Sequence, residues 1–526
     1  MVNISYDASG SLVSIYDVTA YDSSAGAEGV AVYNNGDMSW ILTAAVLVMI
    51  MAAGIGYLYS GLLRRKNALS MLMLSMVVYS VGAIQWMFWG YSLAFGEGSM
   101  FIGNLKHFGL INVLDAPSVG SSKIPALLFC AYQSMFSSVT GVIVIAGFAE
   151  RARILPIMIF TFMWSTLVYD PVACWTWNAT GWGFQKGVLD FAGGGPVHMT
   201  SGTATFVVAH YLGRRRGYGT AKLAYRPHSV SHVVLGTALL WFGWFGFNGG
   251  SELAMNLRSV QAALITNLAA AMGGLTWMML DYYHTGKYSA VALCSGILAG
   301  LVGITPAAGY LGAPAALAVG FVTAIVCNFS TGIKVLLGVD DAVDGFALHG
   351  IGGFTGAILT DPLPFTGFFA DSRVAGFDGY TVIAGKFSPA FVHPSSQAHS
   401  HSSLVPGGWI NKQYKQMGWQ LASALAIITW TAVLTYIILF AIDHIPGLHF
   451  RATEDQEILG IDETECGETG YDFVFMRRDL ESPEDVDALN NGASSTLSRS
   501  SSGSNAKVPA EKAPLGAAET LPIQTI

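Results

Sequence analysis

Asp190-Phe191-Ala192-Gly193-Gly194-Gly195-Pro196-Val197-His198-Met199-Thr200-Ser201-Gly202 opens an apolar segment that continues to Gly213. The segment is about as long as the roughly 20 residues that a membrane-spanning helix needs, and it carries an ionisable histidine into that span. Three consecutive glycines let another backbone approach closely. Asp190 stands where a carboxylate is favoured by the helix macrodipole and can accept orphan N–H groups. Taken alone, the motif reads equally well as an N-cap followed by a packed histidine. A second, similar stretch later in the chain changes that balance.

The surrounding composition is that of an integral membrane protein. Of 526 residues, 52% are hydrophobic and only 11% charged, with a mean hydropathy of +0.48, whereas soluble domains carry about 25% charged residues. Cys130, Cys174, Cys294, Cys327 and Cys466 are scattered, odd in number and without C-x-x-C spacing, so they indicate neither a disulfide framework nor a zinc site. The net charge of −8 is unevenly spread. From Pro446 onward there are 6 Lys/Arg against 15 Asp/Glu, so the acidity belongs to the C-terminal tail and the rest is close to neutral.

Residues 1–37 hold Asp7, Asp17, Asp22, Glu28 and Asp37 and no base. Without a basic n-region they are not an ordinary signal peptide. The first apolar segment, 38–63, ends in Arg64-Arg65-Lys66, which by the positive-inside rule places that end in the cytoplasm and the N-terminus outside. Asn3-Ile4-Ser5 is then an extracellular glycosylation sequon, a three-residue pattern that also arises by chance. Further spans are expected at 68–95, 124–149, 154–176, 191–213, 229–251, 259–280, 288–305, 310–333, 342–361 and 416–443. The uncharged run from Tyr288 to Ile333 is too long for one span, and Thr305-Pro306-Ala307-Ala308-Gly309 is its natural break. The expected fold is therefore all-α, with eleven transmembrane helices, N-terminus outside and C-terminus inside. Arg64, Arg65, Lys66, Arg151, Arg153, Arg214, Arg215, Arg216, Lys222, Arg226, Lys287 and Lys334 all fall in its short inner connections.

The fifth and tenth spans resemble each other. Asp190 precedes His198 by eight residues and Asp344 precedes His349 by five, each histidine flanked by glycines. Five spans per half give the halves opposite orientation, an inverted five-plus-five repeat followed by an eleventh helix. Such repeats put equivalent residues near the midplane, where transporters place their substrate path, so His198 and His349 are expected to face one another in one pore. Ionisable groups inside a span mark a functional site by default. Neither histidine belongs to an H-E-x-x-H motif or has a third ligand nearby, which argues against a metal site. The remaining candidate path is aromatic: Gln133 to Phe136, Trp175-Thr176-Trp177, and Trp241 through Phe247 to Ser251. Interfacial aromatics are usually an anchoring belt, yet a ring face beside hydroxyls also attracts a compact monovalent cation.

These residues resemble the ammonium transporter and methylammonium permease family, and within it the fungal permeases that retain both pore histidines. The resemblance covers about residues 38–475 and rests on Gly61-Leu62-Leu63-Arg64-Arg65-Lys66-Asn67, Tyr91 to Gly96, Ala149-Glu150-Arg151, the Asp190 stretch, Gly243 to Ser251, Ala299 to Ala307, and Val339-Asp340-Asp341 through His349-Gly350. It implies that Trp177 and Ser251 would recruit ammonium at an outer vestibule, with Asp190 supporting them from behind. Phe136 and Phe247 would stack as a gate, and His198 and His349 would form a hydrogen-bonded pair lining the pore. It further implies a multi-pass plasma-membrane homotrimer, in contact with lipid, that takes ammonium or methylammonium and needs no cofactor.

The domains expected are an extracellular segment 1–37, a transmembrane domain 38–445 with a long outer loop at 362–415, and a cytoplasmic tail 446–526. His393, His399 and His401 in that loop read as part of a solvated low-complexity segment. Within the tail, 451–475 is similar to the family's regulatory segment, which packs on a neighbouring subunit, and 477–526 has the composition of a disordered chain on which a regulatory kinase could act. An enzyme reading lacks a nucleophile, metal set or cofactor loop, and nothing points to nucleic acid. A receptor that senses ammonium and signals through the tail is the competing function.

Overall fold

The computed structural model describes residues 5–6, 12–13, 33–219, 227–360 and 414–471. Asn3, most of the 362–415 loop with its three histidines, and residues 477–526 lie outside the described residues. The chain divides into Met1–Gly470 and Tyr471–Ile526, and the architecture is that of the first unit. Among the described residues that unit is helical apart from a two-residue antiparallel pairing of Ser5–Tyr6 with Leu12–Val13 and isolated bridges of Pro117 with Pro125 and Ala152 with Arg451.

In order, the helices are α1 (Asn35–Leu62), α2 (Ala68–Gln85), α3 (Ala126–Phe148), α4 (Ile154–Trp164), α5 (Thr200–Leu212), α6 (Val230–Gly250), α7 (Leu257–Thr285), α8 (Ala290–Ile304), α9 (Ala313–Leu337), α10 (Gly352–Thr360) and α11 (Tyr414–Asp443). A π-turn at Trp86–Gly90 carries α2 on to Phe95, and one at Ser165–Tyr169 carries α4 on to Trp177. Among the described residues, nine helices are long and apolar enough to cross a membrane. The fifth and tenth expected spans fall instead on α5 and α10, which begin with π-turns at Gly194–Met199 and Phe346–Ile351. The break expected near Pro306 is a 3-10 turn at Thr305–Ala307.

Small residues set the helix spacing. A Cβ on Gly236 of α6 would meet the backbone of Gly54 and Leu58 in α1, and one on Gly273 of α7 would meet Gly296 and Gly300 in α8. Without a hydrophobic drive between helices in lipid, such close backbone approach supplies the packing energy.

One end of the bundle is clamped by buried charge. Glu150, at the start of the α3–α4 connection, accepts from Arg64 Nε and Arg215 Nη1, both at 2.9 Å, and from the Arg64 backbone N–H at 2.6 Å. Asp340 accepts from Arg215 Nε and Nη2 at 2.8 Å and from Arg151 Nη1 at 3.2 Å. Four connections, α1–α2, α3–α4, α5–α6 and α9–α10, are thereby tied together. Burial pushes the Glu150 carboxyl up, but Arg64, Arg215, the Arg64 N–H and Lys66 outweigh it and hold the group down at about 2. Its contribution to stability is therefore complete above the ordinary value of 4.5 and is lost only as pH falls through that value towards about 2. Glu150→Gln is expected to destabilise the protein by about 3–5 kcal/mol, the cost of stripping one partner from a buried charge cluster. A Tm in detergent lowered relative to the parent, by the same amount at pH 7 and at pH 5, is the measurement that checks it.

The segment after α11 packs on this same end. Asp462 accepts from the Ser70 and Leu69 N–H groups at 2.7 and 2.9 Å, capping α2, and Glu465 accepts from the Ile154 N–H at 3.0 Å, capping α4. Arg451 Nε donates to Glu457 at 2.8 Å while its two Nη atoms donate to Leu212 O and Arg214 O. Gly460 has φ +106° and lies against Lys66, so both the backbone and the space require glycine there. Residues 451–465 are seated on their own chain through these bonds.

Candidate functional site

Asp190 sits at the start of α5 and does what its position suggested. Its Oδ1 accepts from the Gly193 and Gly194 N–H groups, both at 2.8 Å, and its Oδ2 from the Gly195 N–H at 2.6 Å. Gly193 reaches φ +112° to turn these donors inward. The π-turn that follows delivers His198 to the centre of the bundle, fully buried.

The counterpart in the second half is Asp341, not Asp344. Asp341 accepts from the N–H groups of Phe346 at 2.8 Å, Gly345 at 3.1 Å and Val343 at 3.4 Å, at the start of the π-turn that carries His349. The spacing from Asp341 to His349 is the same eight residues as from Asp190 to His198. Asp344, the nearer acid, instead pairs with Lys334 at 2.6 Å. Choosing the acid closest in sequence misses this, because a cap's reach is set by the loop between it and the helix.

α5 and α10 cross in contact. A Cβ on Gly202 would strike the backbone of Gly350 and His349, and one on Gly353 would strike Gly194 O and the Cβ of His198. The glycines around each histidine exist for this crossing. It brings the two Nδ1 atoms to 3.2 Å with ring centroids 5.3 Å apart. At that distance one Nδ1 must carry the hydrogen and the other must accept it, so the pair cannot be doubly charged. Among the described residues, Nε2 of His198 has no partner. Both rings line a cavity of about 10 Å³, room for about one water-sized molecule. Its other walls include Ile55, Val139, Ile143, Leu240 and Leu298, with Phe247 and Tyr59 also in its lining.

Three of the aromatic residues singled out in the sequence gather beside the pair: Phe247 lies 5.9 Å from His198, Phe136 and Phe247 face each other with centroids 4.3 Å apart and planes tilted by 31°, and Trp177 meets Phe136 edge-on at 6.0 Å. Trp175 instead packs against Phe101, Trp182 and Trp430. Trp177 Nε1 donates to the backbone oxygen of Asp190 at 3.1 Å. Ser251 Oγ donates to Phe247 O at 2.8 Å and lies 3.3 Å from the Tyr132 hydroxyl. All seven sequence-selected residues thus belong to one continuous set of contacts.

Three participants were given no individual role from sequence, although Trp244 lies within the stretch from Trp241 to Ser251 singled out there. Trp244 stacks on His198 at 5.3 Å and donates to Thr305 Oγ1 at 2.9 Å, bracing the ring against the α8 break. Tyr132 donates to Gly246 O and Phe247 O at 3.0 and 2.9 Å and so fixes the end of α6. Asp341 is the third. The available signals were helical spacing, Trp244 three residues before Phe247 and Tyr132 four before Phe136, and the repeated eight-residue interval.

Comparison with known proteins adds the context. Residues 39–471 match the model of the Ammonium Transporter Family. The chain is 47% identical over 442 residues to ammonium transporter MEP2 of Saccharomyces cerevisiae, covering 83% of each chain. It is 45% identical over 440 residues to ammonium transporter 1 of Schizosaccharomyces pombe, covering 84% of this chain and 83% of the other. The crystal structure of Saccharomyces cerevisiae Mep2 superposes with a TM-score of 0.71 at 46% identity, covering 81% of this chain and 90% of that one.

Proposed function

The chain belongs to the ammonium transporter family and is a multi-pass membrane protein, and from that premise we propose that it carries ammonium across the plasma membrane by separating the ion from its proton. In this reading eleven helices span the membrane as an inverted five-plus-five repeat plus α11, with the N-terminus outside and the tail 446–526 inside. Ammonium is recruited at the outer side by Trp177 and Ser251, with Asp190 behind them. It passes the Phe136–Phe247 gate and crosses the histidine-lined cavity as ammonia. The working unit is a homotrimer in lipid, with 451–475 regulatory and the distal tail open to a kinase.

The observation that carries the mechanism is a hydrogen-bonded pair of buried imidazoles in an otherwise apolar cavity with room for one small molecule. Ammonium has a pKa of about 9, so removing its proton at pH 7 costs roughly 3 kcal/mol at about 1.36 kcal/mol per unit. Holding an unpaired ion in a dry apolar site costs far more, tens of kcal/mol by the Born limit. Ammonia can donate to and accept from imidazole nitrogens, and the same nitrogens can relay the separated proton. Potassium cannot shed its charge, so the pore discriminates without measuring size.

The direct test is labelled methylammonium uptake, with ammonium-evoked current, in cells lacking their own ammonium permeases. Saturable uptake is expected. Its absence from a chain that reaches the plasma membrane would put the sensing reading ahead of transport. Ser251→Ala is expected to raise the half-saturating methylammonium concentration about 10-fold, since a hydrogen bond to a charged group is worth about 1.5–3 kcal/mol, and to leave the maximal rate within about two-fold. An unchanged half-saturation would remove Ser251 from recruitment.

A further inference from the structure

The outer end of the bundle contains a buried charge with no part in the pathway described so far. Arg258, in the first turn of α7, is 2% exposed. Its guanidinium packs against an aromatic corner, 5.2 Å from the Phe191 ring and 5.1 Å from the Tyr310 ring, which meet each other edge-to-face at 5.7 Å. Its Nε donates to Gly309 O at 2.7 Å, and its Nη1 lies 3.4 Å from the Glu252 carboxylate, which is itself fully buried. Contact with two rings together with a carbonyl and a carboxylate uses the several donors and the planar fork of arginine in a way that lysine cannot reproduce.

Each partner touches the proposed recruitment region. Glu252 follows Ser251 directly, and its Oε1 accepts from Asn256 Nδ2 at 2.9 Å. The Asn256 side chain in turn caps α7, accepting from the Arg258 and Ser259 N–H groups at 2.9 and 3.1 Å. Phe191 follows Asp190 directly, its N–H donates to Pro306 O at 3.0 Å, and a Cβ on Gly309 would strike its ring. The Asp190 segment, the Ser251 turn and the broken connection after α8 come from distant parts of the chain, and they meet at this one guanidinium.

We propose that Arg258, paired with Glu252 and packed against the Phe191–Tyr310 corner, is a positioning residue that sets the placement of Ser251 against the Asp190–Trp177 side of the outer ammonium site. It acts at a distance from the ion. Loss of the guanidinium frees the Ser251–Glu252 turn and the Phe191 ring together, while the histidine pair and the Phe136–Phe247 stack keep their own supports. The effect therefore falls on recruitment rather than on the rate of passage.

This inference rests on Ser251 serving recruitment, so Ser251→Ala is measured beside it. Methylammonium uptake is recorded in permease-deficient cells for Arg258→Lys, Arg258→Met and Glu252→Gln, with rates normalised to protein at the plasma membrane. Arg258→Met is expected to raise the half-saturating concentration about 10-fold, the equivalent of 1.4 kcal/mol, with the maximal rate within two-fold. Arg258→Lys and Glu252→Gln should fall between it and the parent. Unchanged half-saturation in the Arg258 variants while Ser251→Ala is shifted overturns the positioning role alone, as does a fall confined to the maximal rate. An unshifted Ser251→Ala removes the recruitment reading and this inference with it. Where Arg258→Met does not reach the membrane, the lysine and glutamine variants are judged by the same criterion, and failure of all three to be delivered makes the cluster a folding element only.

Discussion

Replacing His198 and His349 together by alanine is expected to abolish ammonium-specific current, which should fall by about two orders of magnitude, the equivalent of roughly 2.7 kcal/mol at the barrier. In the proposed mechanism the two rings supply the polar atoms on which ammonia and its proton depend inside an apolar cavity, and their Nδ1 atoms are each other's partner at 3.2 Å. With both gone, the walls that remain are mainly Ile, Val and Leu side chains, and neither a proton nor a hydrogen-bonding neutral has a station there. Whatever current survives then runs through water admitted by the deleted rings and passes potassium as readily as ammonium. Two-electrode recording with ammonium and with potassium as the main cation reads both quantities. An ammonium current of parental size that still excludes potassium would rule out the histidine relay. Each single variant is expected to be milder, because one imidazole still offers two ring nitrogens to the cavity.

Asp190→Ala is expected to lose transport as completely, for a different reason. Three N–H groups, those of Gly193, Gly194 and Gly195, point at one carboxylate, and each buried donor left without an acceptor costs about 1–3 kcal/mol. The start of α5 must then rearrange to find other acceptors, and His198 is carried on that start. Uptake should disappear and Tm should fall, whereas Asp190→Asn keeps one accepting oxygen and is expected to be intermediate in both. Asp341→Ala should behave alike through His349, since Asp341 collects the N–H groups of Val343, Gly345 and Phe346 in the same way. Parental uptake and Tm in either alanine variant would show that the caps do not hold the histidines.

The eight-residue interval from carboxylate to histidine illustrates what could be read in advance and what could not. That an acid begins each histidine-bearing span was legible, because a helix start in a membrane has four N–H groups and no water to satisfy them. Which of Asp340, Asp341 and Asp344 does so was not. All three are buried, and only the folded chain separates them: Asp340 between Arg151 and Arg215, Asp341 at the cap, and Asp344 against Lys334. The glycines beside the histidines were likewise visible as a pattern, but their partners lie some 150 positions away, Gly202 against Gly350 and Gly353 against Gly194.

From sequence alone came the helical membrane architecture, the positions of nine apolar helices, the break at Pro306 and the pairing of the fifth and tenth segments, and from the family resemblance came the seven residues that the fold brings into contact. These are local properties: the run of apolar side chains long enough to cross lipid, the charges that stop it, and the short motifs that a family repeats. The tertiary structure alone decided the distances within that set, the bracing of His198 by Trp244, the hold of Tyr132 on the end of α6, the Arg258 clamp and the seating of Asp462 and Glu465 on α2 and α4. Each joins side chains to groups far along the chain, at ranges of about 3–6 Å where hydrogen bonds and ring contacts act. Helical periodicity says which face of a helix a residue occupies; only packing says which other face it meets.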